Sequence, residues 1–230
     1  IAYTGGVGRR HFDVRAAMVV KSSQQAEQLF RDLERSDEAA GVFRGQSRST
    51  PMVAWQFTGQ GSQYVGMAED LYKSQPVFRS ALDECSQLLG KLRDGSLLHV
   101  LFGDENLIHH TSWTQPALFA IQMGLVRLLN HWDLHPDVVL GHSVGQYAAA
   151  CVAGIMTWED GLRLISERGR LIGELPSGGS MLAIFASPDQ VETEIAGSDQ
   201  VALAALNGTH TVVSGPTGSI EKLAEGLSER

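Results

Sequence analysis

The segment that most constrains this chain is Gly141-His142-Ser143-Val144-Gly145. It is set between the short run 137–140 (DVVL) and a small-residue stretch from Gln146 to Ala153. Strand, GxSxG, helix is the context of a nucleophile elbow. Glycines at 141 and 145 permit a turn that a side chain would obstruct. The turn pushes Ser143 out at the end of the strand, and the helix behind it offers free N–H groups to a developing oxyanion. The pentapeptide alone is a weak signal, because with 25 glycines a chain of this length gives ~0.2 chance matches. The flanking strand and helix give it weight. His142 adjoins the serine, but adjacent side chains diverge from an elbow, so it is badly placed to deprotonate Ser143.

The rest of the chain reads as α/β. Residues 15–21, 52–57 and 137–140 are strand-like. Helices are expected from about Ser22, over 65–73, 76–91, 115–132 and 146–153, and over 157–173. Ser22 and Gln25 have capping-box spacing, and Ala26, Leu29, Phe30 and Leu33 form one apolar stripe. The run 115–132 is apolar on most faces and should be buried. The opening Tyr3-Thr4-Gly5-Gly6-Val7-Gly8 reads as a Gly-rich loop without the spacing of a phosphate site. Residues 35–51 turn polar and end at Pro51, which marks a boundary. From Gly178 the pattern is strand (181–186), helix (188–196), two strands (200–206, 210–214) and helix (217–229). That is β-α-β-β-α, one strand short of a ferredoxin-like unit. Three parts are therefore expected: 1–50, 51–177 and 178–230.

Bulk properties narrow the function. Residues 1–50 carry eight Lys/Arg against six Asp/Glu, and the remainder ten against twenty. So acidic a body lacks the basic footprint of a nucleic-acid binder. Cys85 and Cys151 show no metal-ligand spacing, which argues against a disulfide scaffold or a metal site and suits a reducing cytoplasm. No apolar run approaches membrane-spanning length, so no membrane partner is expected.

At this point a resemblance becomes specific. FTGQGSQY (57–64), VGMAEDLY, TQPALFAIQ (114–122), GHSVG, ERGRL (167–171) and ALNGTHTVVSGP (205–216) occur in the order and spacing of acyltransferase domains of polyketide and fatty acid synthases. Residues 2–21 resemble the linker that joins a ketosynthase to such a domain in modular synthases. The resemblance implies an α/β-hydrolase-like core at 51–177, a truncated ferredoxin-like subdomain at 178–230 and an N-terminal α/β linker at 1–50. It implies that Ser143 takes an acyl group from coenzyme A and passes it to the phosphopantetheine thiol of an acyl carrier protein domain. An adjacent ketosynthase domain is the second implied partner. No permanent cofactor is implied; acyl-coenzyme A is substrate.

Site roles carried over by the resemblance are these. Gln60 and Val144 supply the backbone N–H groups of the oxyanion hole. Arg168 grips the free carboxylate of a malonyl-type substrate, for which a guanidinium is a bidentate fork. Taken without the family, Arg168 is one of three arginines on an amphipathic helix, with Arg163 and Arg170, and solvated charge is the simpler interpretation. His142, Gln115 and Asn207 line or brace the family's pocket. TQPALFA and the aliphatic Val144 resemble malonyl-loading members.

Two departures stand out. Gln146 occupies a position where the family usually has Glu. The family's general base is a histidine well downstream of the serine. The only histidine here after the elbow is His210, in the β-β segment, so no base is assigned. The chain is expected to be a piece of something longer, incomplete at its C-terminus, and residues 1–230 alone are not expected to turn over. Their small subdomain should be disordered or need a strand from elsewhere. Two alternatives stay open: a serine acylhydrolase on the same fold, and a non-catalytic docking fragment.

Overall fold

In the computed structural model, which describes residues 2–35, 41–46 and 51–228, the chain opens on a short helix, α1 (Ala2–Val7). This corrects the expected Gly-rich loop. Gly8 N–H donates to Thr4 O at 2.9 Å, so the backbone closes its own helical turn without side-chain help. Strand β1 (Val14–Met18) follows, then α2 (Ser23–Arg35) and β2 (Val42–Gln46). The two strands pair antiparallel from Val14↔Gln46 to Met18↔Val42. Half of the expected capping box of α2 forms: Gln25 N–H donates to Ser22 Oγ at 3.2 Å, while Gln25 Oε1 accepts from Lys21 N–H at 2.7 Å, one residue before the cap.

Strand β3 (Ala54–Phe57) leads, through helices α3 (Glu69–Ser74), α4 (Pro76–Leu92) and α5 (Leu97–Gly103) and a 3-10 turn at Leu107–His109, to the long helix α6 (Thr111–His131). Next come β4 (Val138–Gly141), α7 (Gly145–Val152) and α8 (Trp158–Gly173). Strands β3 and β4 are parallel, in register from Ala54↔Val138 to Phe57↔Gly141. A parallel pair needs a long crossover, and the four helices between the strands provide it. Asp137 fixes the start of the pair: its N–H donates to Val53 O at 2.8 Å, and its Oδ2 accepts from Val53 N–H at 2.7 Å.

Helix α6 lies in the middle, packed against α4 and α8, as its all-round apolar surface requires. Phe78 and Leu82 of α4, Leu97 and Leu101 of α5, Phe119 of α6 and Leu162 and Ile165 of α8 are buried in one core. Each such side chain contributes roughly 1.5–3 kcal/mol by leaving water. Helix α8 is capped by Thr157, whose Oγ1 accepts from Asp160 N–H at 3.1 Å. Pro116 sits in the second turn of α6 and has no N–H for Ser112 O, four residues back. Arg93 replaces that donor: its Nη1 lies 2.6 Å from Ser112 O, and its guanidinium stacks 3.9 Å from the centre of the Trp113 ring.

Residues 179–228 build a second, smaller unit from β5 (Gly179–Ile184), α9 (Pro188–Ile195), β6 (Ala202–Leu206), β7 (Thr211–Pro216) and α10 (Thr217–Ser228). The sheet order is β5-β7-β6, all antiparallel, with a bulge between Leu203 and Ala205. Val191, Val201, Val213 and Ile220 close a separate core beneath it. The expectation that this unit would be disordered or need a borrowed strand is corrected, because three strands and two helices form their own core. One edge of β5 has no strand partner among the described residues, and Met181 and Phe185 beside it are exposed. No helix among the described residues is long and apolar enough to cross a membrane.

Candidate active site

The turn after β4 is the sharp one that its glycines predict. His142 N–H donates to Phe57 O at 3.0 Å, and the chain then reverses at Ser143, whose φ is 51°. A non-glycine residue in the left-handed region costs on the order of 1–2 kcal/mol and persists only where its surroundings impose it. Here the constraint is close approach. A Cβ on Gly141 would collide with Gly145 O, and one on Gly145 would collide with Phe57 O and lie 2.8 Å from Thr58 O. The side chain of Ser143 is left exposed while that of Val144, 1% exposed, is packed into the core. Gly145 N–H then bonds His142 O at 2.9 Å and Gln146 N–H bonds Ser143 O at 3.1 Å, which starts α7.

The loop after β3 lies directly over this turn. A Cβ on Gly59 would stand 3.5 Å from Ser143 Cβ and 3.0 Å from His142 Nδ1. Gln60 comes next, and neither its N–H nor that of Val144 has a hydrogen-bond partner among the described residues. An oxyanion hole is built from backbone donors that have no other partner, and these two N–H groups meet that condition. Other polar groups brace the loop. Gln122 of α6 donates to Thr58 O at 2.9 Å, Gly61 N–H donates to Gln63 Oε1 at 2.8 Å, and Gln63 Nε2 lies 3.3 Å from His109 Nδ1. Sequence reasoning flagged none of Gln63, His109 and Gln122.

Helix α8 separates its three arginines. Arg163 pairs with Asp160 at 2.9 Å, and Arg170 pairs with Glu167 and Glu174 at 2.6 Å each, all on the exposed side. Arg168 instead is half-buried. Its Nη1 donates to Gln115 Oε1 at 2.6 Å, and its guanidinium lies 6.0 Å from the Tyr147 ring centre. Gln115, itself 1% exposed, donates from Nε2 to Thr111 Oγ1 at 3.0 Å. Thr111 then donates to Gln60 Oε1 at 3.1 Å. Arg168, Gln115 and Gln60 are thus joined in one hydrogen-bond chain, through Thr111. Thr111 was missed because the helix was read from 115; its place one turn before Gln115 was the available signal.

Asn207 is not brought to this group. It sits in the β6–β7 turn, where its Nδ2 lies 2.9 Å from His210 Nε2, and the His210 ring packs 5.5 Å from that of Phe185. No hydrogen bond or ring contact among the described residues joins Asn207 or His210 to the elbow. Ser143 Oγ likewise has no hydrogen-bond partner among them, so no imidazole is in place as a base. Competing nucleophiles are disfavoured: burial pushes the Cys85 thiol up to about 12 and the Cys151 thiol up to about 11. No group of three or more His, Cys, Asp or Glu side chains among the described residues is arranged to hold a metal ion.

Comparison with known proteins shows the family. A family model described as "Acyl transferase domain" matches residues 54–230. The phenolphthiocerol synthesis polyketide synthase type I Pks15/1 of Mycobacterium marinum is 38% identical over 225 residues, which is 97% of this chain and 11% of that protein. The crystal structure of the acyltransferase domain from the second module of the salinomycin polyketide synthase superposes with a TM-score of 0.83 at 36% identity. The match covers 94% of this chain and 51% of that one. The malonyl CoA-acyl carrier protein transacylase of Clostridium perfringens gives 0.71 at 28% identity, over 78% of this chain and 58% of that one. The chain thus spans about half the length of these solved structures and a small part of the curated relative.

Proposed function

This chain belongs to the acyl transferase domain family, and on that premise we propose that it moves an acyl group from coenzyme A through Ser143 to the phosphopantetheine thiol of an acyl carrier protein. The observation that carries this is the strained, exposed Ser143, with the neighbouring Val144 N–H and the Gln60 N–H of the adjacent loop both unpaired among the described residues and a half-buried arginine linked to that loop. Ser143 Oγ attacks the thioester carbonyl and a C–O bond forms. The oxyanion is held by the N–H groups of Gln60 and Val144, the C–S bond breaks, and the serine proton leaves with the thiol of coenzyme A. The second half-reaction is the same exchange with the carrier's thiol as attacker.

Malonyl is the acyl group that best fits the arginine. Arg168 offers a charged fork to a free carboxylate, and a lipase-like acylhydrolase has no use for such a group. A polyketide synthase is the parent enzyme in this proposal, with the ketosynthase domain as neighbour and residues 1–50 as the linker to it. Residues 51–177 are the α/β-hydrolase-like core. The order β5-β7-β6 matches the first three strands of a ferredoxin-like unit, with residues 178–230 as that small subdomain.

The test is to incubate the chain with malonyl-coenzyme A and locate the adduct by intact mass and peptide mapping. With no base in place the adduct should build up slowly, without turnover, on Ser143. Adduct that persists in Ser143→Ala, or maps elsewhere, overturns the assignment.

A further inference from the structure

The relay that runs from α8 to the loop after β3 has a direction. Arg168 donates to Gln115 Oε1, Gln115 Nε2 donates to Thr111 Oγ1, and the Thr111 hydroxyl donates to Gln60 Oε1. Gln115 and Thr111 each accept from one side and donate to the other. Gln115 is 1% exposed, so water cannot substitute for a missing partner. Its amide could in principle face either way. The donor-only guanidinium turns the amide oxygen toward itself, and Thr111 Oγ1 is then the acceptor that holds the buried Nε2 on the other side. A reversed amide would set NH2 against a cation.

We propose that Thr111 is a positioning residue for substrate selection: it sets the Gln115 amide, which holds Arg168 by Nη1 and leaves the rest of the fork free for a carboxylate. Its own proton at the same time fixes the side chain of Gln60. One hydroxyl thereby ties the group that grips the far end of the acyl chain to the loop that receives the oxyanion at the near end. This rests on the assignment of Arg168 as carboxylate anchor and of Gln60 to the oxyanion loop. A guanidinium has five N–H donors, so Gln115 and a substrate carboxylate can be held together rather than in competition. The Tyr147 ring beneath the guanidinium limits its remaining freedom.

The experiment measures affinity for malonyl-coenzyme A and acetyl-coenzyme A by calorimetry, in the Ser143→Ala chain so that no acyl transfer intervenes. That parent should prefer the malonyl ester. Adding Thr111→Val, which keeps the shape and removes the hydroxyl, should cut malonyl affinity on the order of tenfold and leave acetyl affinity nearly unchanged. Thr111→Ser should restore the preference. Gln115→Glu supplies a second route should the valine variant fail to fold, because a carboxylate there captures Arg168 and should abolish the preference. If the parent shows no preference, or binds neither ester, the anchor assignment falls and this inference with it. If the parent prefers malonyl and Thr111→Val weakens both esters equally or changes neither, the inference alone is overturned.

Discussion

Replacing Arg93 by alanine should expose a dependence that Pro116 creates. The proline removes the N–H that would serve Ser112 O, and the arginine supplies the substitute at 2.6 Å from a half-buried position on the Trp113 ring. A hydrogen bond from a charged donor to such a carbonyl contributes roughly 1.5–3 kcal/mol. The stacked guanidinium adds about 0.5–1 kcal/mol at a site still partly open to water. Arg93→Ala should therefore cost about 2–4 kcal/mol. For a protein of this size that lowers the unfolding temperature by about 5–15 °C. The double-mutant cycle is more informative. In a Pro116→Ala background the restored N–H serves Ser112 O, so removing Arg93 should cost only the stacking, about 1 kcal/mol. Urea unfolding followed by tryptophan fluorescence suits the measurement, since Trp55, Trp113, Trp132 and Trp158 all lie in the larger unit. Equal losses in the two backgrounds would show that Arg93 does not stand in for the missing donor. A loss below about 0.5 kcal/mol would refute the arithmetic outright.

Gly145→Ala should destabilise by about 2–4 kcal/mol despite alanine's helix preference, because the new Cβ meets the Phe57 and Thr58 carbonyls, which cannot rotate away; Gly90→Ala in α4, with nothing within 4 Å, should instead stabilise by roughly 0.5–1 kcal/mol. Thermal melts of the two variants check the pair, and a neutral Gly145→Ala would mean the elbow has room that its geometry denies. Arg127, bonded to Glu84 at 2.6 Å, holds that carboxyl below its ordinary 4.5, so the pair stabilises above that value and the contribution is lost as pH falls through the lowered one. At this exposure it is worth at most about 1 kcal/mol, and the stability gap between the parent and Glu84→Gln should narrow on acidification; a gap that widens would contradict the sign.

What the sequence disclosed and what it withheld divide along physical lines. The elbow was legible because its requirement is local: two glycines four residues apart, a strand before and a helix after. Caps were legible for the same reason, as Ser22 with Gln25 and Thr157 with Asp160 are each decided within one turn. Strand β2 was not, since Val42–Gln46 has little apolar alternation and owes its conformation to pairing with β1 across α2. Helix α5 was missed because the seven residues LLHVLFG are too few and too uniformly apolar to show a helical period, and the start of α6 at Thr111 because polar and histidine residues around 104–112 hide it. What a single sequence does not show is how the three arginines differ: the fold places acidic neighbours beside Arg163 and Arg170 and a buried amide beside Arg168. Gln60 and Thr111 stand 51 residues apart, and a hydrogen bond at that separation leaves no pattern in a single sequence.

The parallel pairing of β3 with β4 also has a consequence in time. Val53 and Asp137, which open the pair, are 84 positions apart. A ribosome adds about 5–20 residues per second, so β3 waits on the order of ten seconds for its partner to emerge. During that interval the helices from α3 to α6 can assemble, but Ser143 does not yet exist and the carbonyls of β3 have nothing to receive. The turn at Ser143 therefore takes shape after the helices from α3 to α6, with only α7 and α8 of the larger unit still to follow. An interruption between α6 and β4 would leave one bare strand and an α6 still without α8, the helix that covers it in the finished core.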